Sequence, residues 1–275
     1  MKRRLFELVL ALCAAVAFAF LLLPLAALFL RVSPGTLLSE LTSEAAREAL
    51  LVSLKTSALA HLVILGIGTP VAYLLATRSF TGRRLLVAAV EIPLVLPPAV
   101  AGIGLLAAFG NRGLLGDSLE AAGISLPFTQ VAVVLAIIFV ASPFYVRQAI
   151  AAFESVDPTL LDASRTLGAG PAKTLFRVAL PLAAGGLAAG SSLAFARGLG
   201  EFGATIIFAG SFPGVTRTAP LAIYAELDRN FDAALALGCL LVLISIALLA
   251  AVNLLPGWTR FTSRSRTTYA PSASS

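Results

Sequence analysis

Arg197 and Glu201 stand four residues apart in an otherwise apolar run, so one helical turn would bring a cation and an anion side by side. Ionisable groups in such runs usually face a partner or a watery cavity. Two readings stay open. The residues form a structural ion pair, or they line a solute path in which Arg197 attracts a passing anion and Glu201 orients Arg197. Gly200 and Gly203 loosen the helix beside them, which can expose backbone N–H groups or provide a hinge. Phe202, Gly203 and Thr205 join the pair as candidates for a path or gate. Other chemistry is poorly supplied. His61, the only histidine, has no His, Cys or carboxylate beside it, which speaks against a metal site or a His-based triad and for a packed or snorkelling side chain. Gly168-Ala-Gly-Pro-Ala-Lys173-Thr174 has the look of a phosphate-binding loop. However, Ala172 stands where that motif needs Gly, and Pro171 removes a backbone donor. No catalytic residue, metal or cofactor is therefore expected in this chain. Cys13 and Cys239 fall inside apolar runs and read as small buried side chains without a redox role.

The elements that must hold these residues are membrane helices. The chain is 59% hydrophobic and 12% charged, against about 45–50% and about 25% for soluble domains. Apolar runs of about 20 residues can cross the hydrocarbon core. Six are present, near Leu5–Leu30, Leu50–Ala76, Leu85–Phe109, Thr129–Val146, Leu182–Phe208 and Ala233–Leu255. The fold class is an all-α polytopic membrane protein. With both termini in the cytoplasm, most basic residues fall inside, among them Lys2, Arg3, Arg4, Arg78, Arg83, Arg84, Arg147, Arg165, Lys173, Arg177, Arg260, Arg264 and Arg266. The net charge of +6 is then the positive-inside excess, and no nucleic-acid partner is needed to explain it. The run to Leu30 outlasts a signal-peptide core of about 7 to 15 residues, so the first span reads as a retained anchor. The fifth span carries Gly186, Gly190, Ala194 and Gly198 every four residues, a flat face on which another helix can pack closely.

One polar, basic stretch interrupts this apolar pattern: Asp157 to Pro181, DPTLLDASRTLGAGPAKTLFRVALP. Asp157 can act as N-cap with Pro158 at the first helical position, and Leu160, Leu161, Ser164 and Leu167 share one face until Gly168 offers a left-handed stop. Gly170 and Pro171 can start a second helix that leads through Leu175, Val178 and Ala179 to Pro181. The stretch resembles the cytoplasmic coupling motif of ABC importer permeases: an acidic-Ala-small triplet, Gly after three more residues, then nine residues, a β-branched residue, any residue, Leu and Pro. Asp162, Ala163, Ser164, Gly168, Val178, Leu180 and Pro181 fill these positions, with Asp where many members carry Glu. The resemblance implies a type I importer fold with a coupling helix. It also implies that Asp157, Leu160, Leu161, Asp162, Ala163, Ser164, Arg165, Gly168 and Pro181 engage an ATPase subunit, which carries ATP and Mg.

A second stretch, Ala196 to Thr205, with Phe208-Ala-Gly210 and Thr216 to Tyr224, resembles the molybdate branch of those permeases. Related sulfate permeases tend to carry Tyr and Ser where this chain has Phe202 and Ala204. The resemblance, from about Leu50 to Leu255, implies ATP-driven import of molybdate or tungstate across a bacterial or archaeal cytoplasmic membrane. It further implies a homodimer of permeases, two ATPase subunits and a periplasmic or lipid-anchored oxyanion-binding protein. A sulfate or thiosulfate permease is the alternative, and an ATPase-independent anion channel the competing class. The residues alone lead only to an anion or small-solute transporter subunit.

The remaining segments are modest. Ser33–Ala49 carries Glu40, Glu44 and Glu48 opposite Leu37, Leu38 and Leu41, the pattern of either an interfacial helix or a solvated helical linker. Residues 111–128 and 210–230 read as turns or short dipping segments. Without internal repeats the chain reads as one membrane domain: an N-terminal anchor over 1–31, core spans over 50–256, the coupling loop at 157–181 and a disordered Ser, Thr and Arg-rich tail over 262–275.

Overall fold

A computed structural model describes residues 2–253, and every regular element among them is helical. The expected tail over 262–275 and the last residues of the expected sixth span lie outside the described residues. The long helices are α1 (Lys2–Arg31), α3 (Glu44–Thr77), α7 (Gln130–Glu154), α10 (Leu180–Leu199) and α13 (Phe231–Asn253). Shorter ones are α2 (Pro34–Thr42), α4 (Arg83–Val95), α5 (Pro98–Phe109), α6 (Gly116–Ala121), α8 (Pro158–Thr166), α9 (Pro171–Thr174), α11 (Gly203–Phe208) and α12 (Ala219–Glu226).

α7 is the centre of the bundle. Val133, Ala136, Ile137, Val140, Ala141, Tyr145, Ala149 and Phe153 are all buried on it, and α3 and α10 pack along its length. The small-residue face of α10 explains the closeness of that packing. A methyl group at Gly186 would lie 2.5 Å from Ala152 Cβ, and one at Gly190 2.8 Å from Gln148 Cβ. On the other side, Thr69 of α3 hydrogen-bonds the Tyr145 hydroxyl. α12 sits between α3 and α13, pinned where the Ala219 N–H donates to Ser53 Oγ at 2.6 Å. α1 has no buried residue and packs chiefly against α13, near Leu28 and Cys239.

Three expectations need correction. The apolar run Leu85–Phe109 is not one straight span: α4 and α5 meet at a bend of 116°. Pro97 and Pro98 withhold two successive N–H donors and drive Leu96 into an extended conformation with ψ 132°. The run Leu182–Phe208 is also broken. Its helix begins earlier, at Pro171, stops at Leu199 and resumes as α11. Thus, among the described residues, four helices are long and apolar enough to cross a membrane, or five if the bent pair is counted as one span. Finally, the acidic stripe of Ser33–Ala49 is divided at Ser43, which ends α2 and caps α3 by accepting the Ala46 N–H. A serine hydroxyl that satisfies a first-turn donor outcompetes helix continuation, so Glu44 and Glu48 belong to the first turns of α3 and Glu40 to α2. The segments 111–128 and 210–230, read as turns or short dipping segments, each hold a short helix, α6 and α12.

Candidate functional site

At the first of two sites, two helix breaks face one another. α10 ends in the sequence Leu199-Gly-Glu-Phe-Gly203, and the turn is held by Glu201. Its Oε1 accepts the Ala204 N–H at 2.8 Å, satisfying a first-turn donor of α11 that a continuous helix would have spent on its own carbonyl. Oε2 lies 2.8 Å from an Arg197 guanidinium nitrogen, off the N–H direction, so this contact is ionic in character. The Glu201 side chain is 1% exposed and that of Arg197 is 29% exposed. The carboxylate is therefore buried and spoken for, and the guanidinium keeps an open flank. Gly203 rests on Pro98: a Cβ there would be 2.4 Å from Pro98 Cβ, and one at Gly102 would be 2.8 Å from Ile207 Cβ. The bend between α4 and α5 thus abuts the break between α10 and α11.

Of the sequence-derived path residues, the structure joins Arg197 and Glu201 directly and sets Phe202 and Gly203 on the same turn. The Phe202 ring meets Tyr224 of α12 at 5.1 Å between centroids. Thr205 is fully buried in the first turn of α11, with its hydroxyl unpartnered among the described residues. Sequence reasoning assigned no role to Pro98, Gly102 or Tyr224. The double proline in an apolar run was the available signal for the first. His61 is a packed residue, bonded through Nε2 to Ser191 Oγ at 2.8 Å and edge-on to Phe195.

The second site is the loop 157–181. Asp157 Oδ1 accepts from the Thr159 N–H at 2.9 Å and from its hydroxyl at 2.8 Å, which caps α8 and holds the carboxyl below its usual pKa. α8 is stopped just past its C-cap Leu167 by Gly168, whose φ of 79° is a left-handed conformation that L side chains rarely adopt. The expected single face of α8 is split. Leu161 is buried and Ser164 Oγ lies 3.1 Å from the buried Thr174 Oγ1, whereas Leu160 and Leu167 are exposed. The arc from Leu160 to Leu161 is about 100° wide, so only its inner edge can reach the bundle. Asp162 and Arg165 pair at 2.8 Å on the exposed side, with Ala163 exposed between them. α9 continues through a π-helical turn, Leu175–Ala179, directly into α10, with Pro181 exposed at the start of the span. Loop and helix break therefore sit at opposite ends of one 29-residue rod, Pro171–Leu199, about 40 Å apart at 1.5 Å per residue.

Two further ion pairs tie α4 to α7 near this loop: Arg83 with Glu154, and Arg147 with Glu91 at 3.5 Å. No sequence spacing announced them, because the partners are more than fifty residues apart.

Comparison with known proteins places this architecture. The chain is 44% identical over 240 residues to the "Molybdenum transport system permease protein ModB" of Mycobacterium bovis, covering 87% of this chain and 91% of that protein. It is 34% identical over 257 residues to the "Probable sulfate transport system permease protein cysT" of Nephroselmis olivacea, covering 92% and 90%. A chain from the crystal structure of "a bacterial ABC transporter involved in the import of the acidic polysaccharide alginate" has the same fold, with a TM-score of 0.74, 17% identity and 97% coverage of each chain. The family model for the binding-protein-dependent transport system inner membrane component matches residues 68–260, and the chain belongs to that family.

Proposed function

We propose that this chain is the transmembrane subunit of an ATP-driven ABC importer that moves molybdate or tungstate across the cytoplasmic membrane by alternating access. The observation that carries the reading is the rod Pro171–Leu199, which joins an exposed, doubly capped helical loop to a helix break holding a half-open arginine. A rigid rod passes a displacement at one end to the other, as a subunit that hydrolyses ATP elsewhere requires. The cargo assignment is supported by the 44% identical molybdenum permease relative and by Phe202 and Ala204 at the break.

In this scheme α1, α3, the bent pair α4–α5, α7, Pro171–Leu199 and α13 form six spans, with both termini and the loop 157–181 in the cytoplasm. Two ATPase subunits, which carry ATP and Mg, grip α8 of two permease copies through Leu160, Asp162, Ala163, Arg165 and Leu167. Leu161 and Ser164 hold α8 to the rod, and Pro181 stays exposed where the rod enters the span. ATP-driven closure of those subunits moves the rods and opens a cavity to the outside, where a periplasmic or lipid-anchored binding protein releases the oxyanion. Hydrolysis reverses the motion. Arg197 faces the passing dianion, while Glu201 fixes its position and the turn; Phe202, Gly203 and Thr205 shape the constriction. ATP hydrolysis is not a property of this chain.

The test is ATP hydrolysis by the reconstituted complex with its cognate binding protein. Molybdate or tungstate should stimulate it, and sulfate should not. Stimulation by sulfate where molybdate is inert would move the assignment to the sulfate reading, which the 34% identical relative favours. An anion current from the permease alone would replace the importer with a channel.

A further inference from the structure

We infer that the cavity between α4 and α7 binds a tetrahedral oxyanion group, supplied either as the phosphate of an anionic phospholipid headgroup or as a free oxyanion. The cavity measures about 330 Å³, room for such a group with several waters, and lies at the end of the bundle that carries the α8 loop. Three arginines and two glutamates line it: Arg83, Arg84, Arg147, Glu91 and Glu154. The carboxylates do not leave the site neutral. Glu154 is matched by Arg83, whose Nε also donates to the Leu75 carbonyl, and Glu91 by Arg147, so the charge of Arg84 remains over. Arg84 is exposed and has no ion-pair or hydrogen-bond partner among the described residues.

The Arg147–Glu91 contact is also loose. At 3.5 Å it exceeds the ordinary charge-assisted distance of about 2.7–2.9 Å, and the Arg147 side chain is 69% exposed. Arg147 can turn toward an anion at little cost. Two guanidinium forks then converge on one group, the geometry that suits a tetrahedral oxyanion. The floor is apolar, built from Val87, Val90 and Ile150, and Leu86, Ile92 and Val95 lie exposed along the same helix. A headgroup with acyl chains would fit this combination of basic mouth and apolar flank, as would an ion leaving the path. The free-oxyanion source rests on the proposed cargo, whereas the lipid source does not depend on it.

The experiment uses the full-length permease in phosphatidylcholine nanodiscs, scored by thermal midpoint and by native mass spectrometry. One arm adds phosphatidylglycerol to the bilayer, and the other adds sodium molybdate or sulfate to the phosphatidylcholine sample. Wild type should gain stability in at least one arm, and the responding arm identifies the source. Arg84→Ala and Arg147→Ala should each weaken that response about tenfold, the scale of one lost charge-assisted hydrogen bond. Arg78→Ala, exposed at the same end outside the cavity, should leave it unchanged. A wild type that responds in neither arm, or cavity variants that respond as wild type does, would overturn the inference. Since no transport is measured, neither result bears on whether the chain imports molybdate.

Discussion

Glu201 uses each oxygen of one carboxylate differently, one to cap α11 and one to neutralise Arg197. This division separates the consequences of substitution. Glu201→Gln keeps an amide oxygen for the Ala204 N–H and loses only the charge, so uptake should fall less than in Arg197→Ala. Arg197→Ala leaves a carboxylate that is 1% exposed without its cation, a loss of about 3–5 kcal/mol in a buried pair. It should therefore lower both oxyanion uptake and the thermal midpoint of the permease. Exchanging the two identities should rescue neither, because an arginine at 201 cannot accept the Ala204 N–H. Recovery of the midpoint in the exchanged variant would mean that the pairing alone matters and that the cap does not. Gly168 makes a similar demand in the loop. With φ at 79°, Gly168→Val places a β-branched residue in a left-handed conformation at about 1–2 kcal/mol and should displace the end of α8. Membrane insertion should persist while co-purification with the ATPase and uptake both fall. Wild-type values for the two would remove α8 from the coupling scheme.

Between loop and span, the π-helical turn Leu175–Ala179 has a local cause. Pro181 has no N–H and its ring crowds the carbonyl four residues back, that of Arg177. The chain relieves this by widening one turn, so that the Leu180 N–H reaches the Leu175 carbonyl. A π-turn adds one residue to the helix, which sets the facing of α9 and α8 relative to α10 by about 100°. Pro181→Ala permits a regular α-turn and should rotate the loop away from its present facing. Transport-coupled ATPase activity should then drop severalfold, because α8 and α9 turn together relative to α10. Unaltered ATPase activity would show that the turn is held by tertiary packing and not by the proline. The small-residue face of α10 works against such movement further along, because Gly186 and Gly190 lock it to α7.

At the scale of the described residues, the bundle is a core of α3, α7 and α10 with broken or peripheral helices around it. α1, with no buried residue, packs chiefly against α13. The proposed topology makes a direct prediction: reporter fusions after Arg84 and after Ser265 should show a cytoplasmic location, and a fusion after Gly116 the outside. The bend between α4 and α5 makes the Gly116 fusion decisive, since a re-entrant pair would return it to the inner side. A cytoplasmic signal there would reduce the span count and leave the loop 157–181 on the wrong side for an ATPase.

Much of the loop was legible residue by residue, because its determinants are local. Asp157 caps from two residues away, Pro158 and Pro171 occupy first helical positions, and Gly168 supplies the left-handed stop. The same holds for the closeness of α10 to a neighbour, written as small residues every four positions. What only the tertiary structure decided was which helix that neighbour is, and that the α4–α5 bend meets the α10–α11 break at Pro98 and Gly203. It also decided that Glu91 and Glu154 pair with arginines far away in sequence. Apolar runs in lipid look alike whether or not a helix is continuous, since hydrophobicity sets only the solvent. Continuity depends on where individual N–H groups find acceptors, and for Ala204 that acceptor is the Glu201 side chain, held in place by Arg197.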